Sequence, residues 1–178
     1  QEITLRKNRD FVFSGLVQAG LFDFKATDCS FNYDTFKINL PTIDTMRFKV
    51  ESFEADQFGK KRLVDVKTPI TGISGQMLID HPGNKSGLVP QPRYPIFTSN
   101  KESYVYYDHT EKFREAYNRE LFNYFVKPFT LESLEEFETE SIRFEGHLNS
   151  GGIFPAEIDE PLVVMSDYSL GFKRTVPA

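Results

Sequence analysis

One phrase occurs near both ends of this chain and constrains what it can fold into. Phe13, Gly15, Gly20 and Phe22 spell F-x-G-x4-G-x-F, and Phe144, Gly146, Gly151 and Phe154 spell F-x-G-x4-G-x2-F. A looser copy runs from Ile70 through Gly72 and Gly75 to Ile79. Each copy is a short apolar run with glycine where a chain must turn or lie close to another backbone. Recurrence of such a unit predicts a repetitive, β-built architecture rather than a catalytic pocket.

The apolar alternation supports this reading. Residues 10–26 predict two strands joined near Ala19 and Gly20. Asp28 to Tyr33 reads as a further short strand or a turn into one. Phe36, Ile38 and Leu40 alternate with polar residues and stop at Pro41; Met46, Phe48 and Val50 alternate again. Further strands are expected at Leu63–Val66, 70–79, 103–107, 142–148, 162–165 and 168–172. One or two short helices are expected between about 110 and 137. Phe113, Ala116, Tyr117, Leu121, Tyr124 and Phe125 fall on one helical face, with Thr110 as N-cap and Pro128 as the stop. The alternation of Phe122, Tyr124 and Val126 leaves open a shorter helix followed by a strand. The second helix, 130–137, has early acidic residues.

The expected fold is therefore mainly β and antiparallel, a sandwich or an elongated β-repeat segment with one or two short helices near 110–137. The inward residues should include Phe13, Phe22, Phe24, Phe48, Ile70, Ile79, Phe97, Phe144, Phe154 and Leu170. The chain's 178 residues suit one β-rich domain over 1–178. The Pro- and Gly-rich stretch 82–95 is the one possible internal boundary. The chain starts at Gln1 without a signal peptide and stops at Ala178 without a terminating element, so it reads as a piece of a longer polypeptide.

Composition narrows the function classes. A net charge of −5 argues against non-specific nucleic-acid binding and gives no handle for an anionic membrane. No apolar run reaches the length of a transmembrane segment. There are 18 Phe and 8 Tyr but no Trp, so the rings are expected to pack a core rather than form a stacking platform. Cys29 is the one cysteine. It allows no internal disulfide, and with no His or basic residue beside it a buried hydrophobe is the expected role.

The candidates for chemistry are few. Gly83, Lys85, Ser86 and Gly87 invite comparison with a phosphate-binding loop, but the spacing is wrong and no helix can follow into Pro90. Asp80-His81 and Asp108-His109 are candidate metal or acid–base groups, because both pairs end strand-like runs and could meet. Adjacent strand residues point to opposite faces, so each pair supplies one ligand per face. Turn chemistry, with Asp bonding its own backbone, is the expected role. His147 is expected to decorate a strand face. The carboxylates Glu132, Glu135, Glu136, Glu138, Glu140, Glu157, Asp159 and Glu160 could hydrolyse glycosides if two of them faced each other. No calcium loop and no complete catalytic motif is present, and no cofactor is expected.

Several stretches resemble segments of very large, uncharacterised, β-rich cell-envelope proteins of Bacteroidota. They are Leu78 to Gly87, Tyr94 to Ser99, Ser103 to Asp108, Pro128 to Leu134, Gly152 to Pro155 and Asp167 to Phe172. The glycine and Phe phrases are also similar to β-groove lipid-transfer proteins of the AsmA and TamB type. The resemblance implies an extracytoplasmic location, in the periplasm or at the outer membrane, and a fragment of a longer chain. The function expected is a non-catalytic structural or interaction segment. It would associate through edge strands with neighbouring segments of its own polypeptide or with other envelope proteins, and carry no bound lipid. The alternatives are an enzyme or binding module acting on cell-surface polysaccharide, and part of a lipid-transfer groove.

Overall fold

The computed structural model describes residues 2–108, 118–154 and 158–174. Six strands come first: β1 (Glu2–Leu5), β2 (Phe11–Ala19), β3 (Phe22–Asn32), β4 (Lys37–Glu51), β5 (Leu63–Asp65) and β6 (Ile70–Leu78). After the long loop come β7 (Ile96–Ser99), β8 (Ser103–Tyr106), β9 (Asn123–Val126) and β10 (Thr130–Leu131). The last are β11 (Arg143–Phe144), β12 (Gly146–Asn149), β13 (Leu162–Val164) and β14 (Leu170–Gly171). Every strand pairing among the described residues is antiparallel. The protein is mainly β, and among the described residues its helical segments are two single 3-10 turns, Lys7–Arg9 and Thr139–Ser141.

The main sheet has eleven strands, with β1-β2-β3-β4-β6-β8-β9-β12 as its path. β6 is where it divides. Gly75 to Leu78 pair with β7, which carries β10; Thr71, further back on the same strand, pairs with Tyr104 of β8, which carries β9 and β12. The second sheet, β11-β13-β14, is small. Phe144 of β11 lies against Phe48 of β4 and Phe129, with ring centroids 6.1 Å and 5.0 Å apart, so this sheet covers the apolar face of the large one.

The inward positions change parity along three strands. β3 buries Phe22, Phe24 and Ala26, then Cys29 and Phe31. The extra residue sits at Thr27 and Asp28, opposite Ser14, whose hydroxyl accepts the Asp28 N–H. β4 buries Leu40, then Ile43, then Met46; its register shifts against β6 between Leu40 and Ile43 and against β3 beside Asp44. β6 buries Ile70, then Ile73, then Gly75 and Met77. These are β-bulges lying side by side, and they strengthen the local twist. They also explain Pro41. The sequence pattern ends a strand there, but β4 runs through it, because Pro41 falls at a bulge where the ladder is already interrupted.

The expected helices differ in the described part. Residues 109–117 lie outside the described residues. Beyond them, Asn118 accepts the N–H of Leu121 and Phe122 in a turn, and β9 follows, with Tyr124 and Val126 inward. The strand alternative holds over Asn123–Val126, because β8 and β12 flank β9 and satisfy its backbone on both sides. The helix over 130–137 is replaced by β10 and a crossing that turns at Ser133, whose carbonyl accepts Glu136 N–H at 3.0 Å. There Ser133 N–H goes to the Arg93 carbonyl, Leu134 N–H to the Pro95 carbonyl, and the Leu134 carbonyl accepts Leu21 N–H at 2.8 Å. In a helix over 130–137 the Ser133 N–H and the Leu134 carbonyl would be terminal groups without an intrahelical partner, and the crossing supplies both with one.

Phe22, Phe24, Phe48, Ile70, Phe97, Phe144 and Leu170 are buried as expected, while Phe13 and Ile79 are half-buried against the core. Phe154 is not a core residue: it is 46% exposed, on the turn after β12. The Phe rings form a chain of contacts from Phe24 through Phe97 to Phe129. Each such side chain contributes roughly 1.5–3 kcal/mol on burial.

Candidate functional site

Asp80 and Asp108, the described acids of the two Asp-His pairs, do not meet. β6 and β8 pair antiparallel at Thr71 and Tyr104, so Asp80, beyond one end of β6, and Asp108, beyond β8, leave the sheet in opposite directions. Asp80 closes a turn. One carboxylate oxygen accepts His81 N–H at 2.6 Å and the other accepts the Asn84 amide at 2.7 Å. His81 Nδ1 accepts Gly83 N–H, so that nitrogen serves the same turn. Asn84 is buried and holds both the N–H and the carbonyl of Val89. The loop is an ordered excursion between the paired strands β6 and β7. Asp108 is held in a fork by Arg119, at 2.8 Å and 3.2 Å. His109 lies outside the described residues. Among the described residues no three of His, Cys, Asp and Glu come together to hold a metal ion.

The Lys85 ammonium lies over the Tyr33 ring at 4.5 Å, with the Arg9 guanidinium also on that ring at 4.8 Å. Arg9 also donates to the Tyr33 hydroxyl. The two cations tie the turn at Lys7–Arg9 and the long loop to the β3–β4 connection.

Cys29 is fully buried, and burial, reinforced by Asp28, pushes its thiol up to about 11. It is no nucleophile at neutral pH. Glu132 is bound by Arg93, whose guanidinium holds its carboxyl below the usual range. Glu135, Glu136, Glu138 and Glu140 are exposed on the crossing segment, and Glu160 is paired with Arg174 at 3.5 Å. Glu157 lies outside the described residues.

A groove of about 860 Å³ opens elsewhere, between the arm 52–63 and the β13–β14 turn. Its floor is Phe53 stacked on Tyr168 at 5.4 Å, and Lys60, Arg62 and Glu54 are among its walls. Asp56 is spent on the N–H groups of Phe58 and Lys60, and Lys61 on Glu51. Tyr168 adopts φ 64, a left-handed conformation that a bulky residue rarely takes. Its ring and hydroxyl explain that choice, since the hydroxyl accepts Phe53 N–H at 3.3 Å and so fastens the arm. Among the described residues none of the clustered carboxylates lines this groove. Sequence reading missed it because Phe53 and Tyr168 are 115 residues apart.

The other conspicuous surface is the first edge of the large sheet. Leu5, Phe11, Phe31, Ile38, Met77 and Phe97 are successive cross-strand partners on the core face. Exposure falls from 79% at Leu5 to 8% at Phe31 and 0% at Phe97. Ile3, on the same strand face as Leu5, is 60% exposed. The covering layer therefore stops short of β1, whose outer edge is unpaired among the described residues. No helix among the described residues is long and apolar enough to cross a membrane.

No protein-family model matches the chain, and no curated protein or solved structure matches it either.

Proposed function

We propose that this chain is a non-catalytic structural and interaction segment of a bacterial extracytoplasmic cell-envelope protein. Its partners are neighbouring segments of the same polypeptide or other envelope proteins. One observation carries the reading: an apolar cross-strand row runs off the covered core onto an edge strand, where Leu5 is left 79% exposed. An incoming strand would pair with the free N–H and C=O groups of β1 and continue that row. Support comes also from the candidate groups. Asp80, His81 and Asp108 serve turns and ion pairs, and the thiol is buried. Over β3, β4, β6 and β7 the apolar face is closed, with Phe24, Met46, Ile73 and Phe97 at 0% exposure, which favours a scaffold over a continuous lipid groove.

The test is photo-crosslinking from position 5 in the full-length protein in its native cells, with fractionation of the envelope. The expected result is a crosslink to an adjacent segment or an envelope partner, in an extracytoplasmic fraction. A cytosolic protein whose position 5 crosslinks to nothing would overturn the proposal. Stoichiometric phospholipid in an extract of the purified chain would replace it with a transport role.

A further inference from the structure

The solvent face of the large sheet changes character from one side to the other. Lys25, Thr45, Thr71, Tyr104, Phe125 and His147 are successive cross-strand partners in one row. The first three are what an outward row ordinarily holds. The last three are rings. Tyr104 and Phe125 are 4.9 Å apart, and Phe125 and His147 stack at 4.8 Å with planes 10° apart. Tyr106 extends the stripe along β8, its plane 5° from that of Tyr104 and its centroid 6.0 Å away. The side chains of Tyr104, Tyr106 and Phe125 are half-buried and His147 is exposed. Gly72 leaves room beside the Tyr104 ring, whose Cδ2 would lie 3.5 Å from a Cβ there.

One end of the stripe is polar by construction. The Arg119 guanidinium lies 4.4 Å above the Tyr106 ring and is held by Asp108. Asn123, buried beneath the turn, donates to the Arg119 carbonyl at 2.9 Å and so seats that turn. Among the described residues neither the Tyr104 nor the Tyr106 hydroxyl has a hydrogen-bond partner. Cross-strand pairing of rings stabilises a sheet. It does not require phenol hydroxyls at the rim or a guanidinium–carboxylate fork at the end.

We propose that this face of β8, β9 and β12 is a binding platform for a neutral oligosaccharide. Pyranose rings present C–H faces to Tyr106, Tyr104 and Phe125. Their hydroxyls bond the two phenols, the Arg119–Asp108 fork and the His147 ring nitrogens. Strand spacing makes the stretch from β8 to β12 about 10 Å, room for roughly two sugar units. A purely apolar partner would bury those phenols and the ion pair without replacing their water. A polyanion is disfavoured by the net charge of −5. This site lies on the opposite face of the sheet from the apolar row that ends at Leu5, so the platform stands or falls independently of the scaffold role.

The test uses the purified chain with cellohexaose, mannohexaose, xylohexaose and maltohexaose, read by NMR of the aromatic ring protons. Saturable shifts of the Tyr104, Tyr106 and Phe125 signals are expected with at least one probe below about 10 mM, a weak but specific affinity. Tyr104→Thr with Phe125→Thr should weaken that binding by about tenfold or more, roughly 1.4 kcal/mol. No shift with any probe, or undiminished binding in the double variant, overturns the proposal. If the double variant does not fold, Arg119→Ala and His147→Ala replace it. Loss of affinity then supports the platform, and unchanged affinity overturns it.

Discussion

Gly20 shows how tightly single residues are specified. It turns the chain between β2 and β3 at φ 57, and a Cβ there would stand 2.2 Å from the Leu134 carbonyl oxygen. Both the conformation and the space require glycine. Gly20→Ala should lower stability by about 2 kcal/mol or more, read from urea unfolding, because strain and a backbone clash add. The glycine phrase thus marked a real turn. It did not reveal that a segment more than a hundred residues away closes over that turn. Cys29 gives a second test at this scale. Its thiol is raised from 9.0 to about 11, and the Tyr124 phenol from 10.0 to about 12, both chiefly by burial. The unfolded chain deprotonates first as pH rises, so stability from these groups is intact below about pH 9 and is lost between about pH 9 and 12. Thermal melts should fall steeply within that window. Cys29→Ala should remove the lower part of the fall.

Elements were legible where the period held and illegible where it broke. The β2–β3 hairpin was readable from Phe22 and Phe24 alternating after Gly20. β4 was split in two because its inward residues Leu40, Ile43 and Met46 are spaced by three, a spacing produced by bulges and not by a period of two. Residues 130–137 looked helical from their caps and acidic start. Their backbone bonds instead go to Phe97, Thr98, Pro95, Arg93 and Leu21, partners no local pattern records. Leu134 is the anchor of that crossing, fully buried over the hairpin. Leu134→Ala should cost about 3 kcal/mol, measured by denaturant unfolding. Substituting exposed Glu135 by Ala should change stability by less than about 0.5 kcal/mol.

At the scale of the molecule, the fold class was written in the alternation and glycine placement. The candidate surfaces were not. Both the groove over Phe53 and Tyr168 and the ring stripe over Tyr104, Phe125 and His147 are assembled across strands. Composition counted those rings without saying which face they would take, and only the register of β8, β9 and β12 places them outside the core.

The division of the sheet at β6 has a kinetic corollary. β3, β4 and β6 hold one another along long ladders, whereas β8 joins β6 at the single register pair Thr71 and Tyr104. The β8-β9-β12 arm can therefore open while the trunk stays shut, a subglobal unit with its own, smaller opening free energy. Amide hydrogens of Phe24, Met46 and Ile73 should exchange only through global unfolding. Those of Tyr104, Phe125 and Leu148 should exchange sooner, as a group and with a weaker dependence on denaturant. Equal protection in trunk and arm would mean that the molecule breathes as one body.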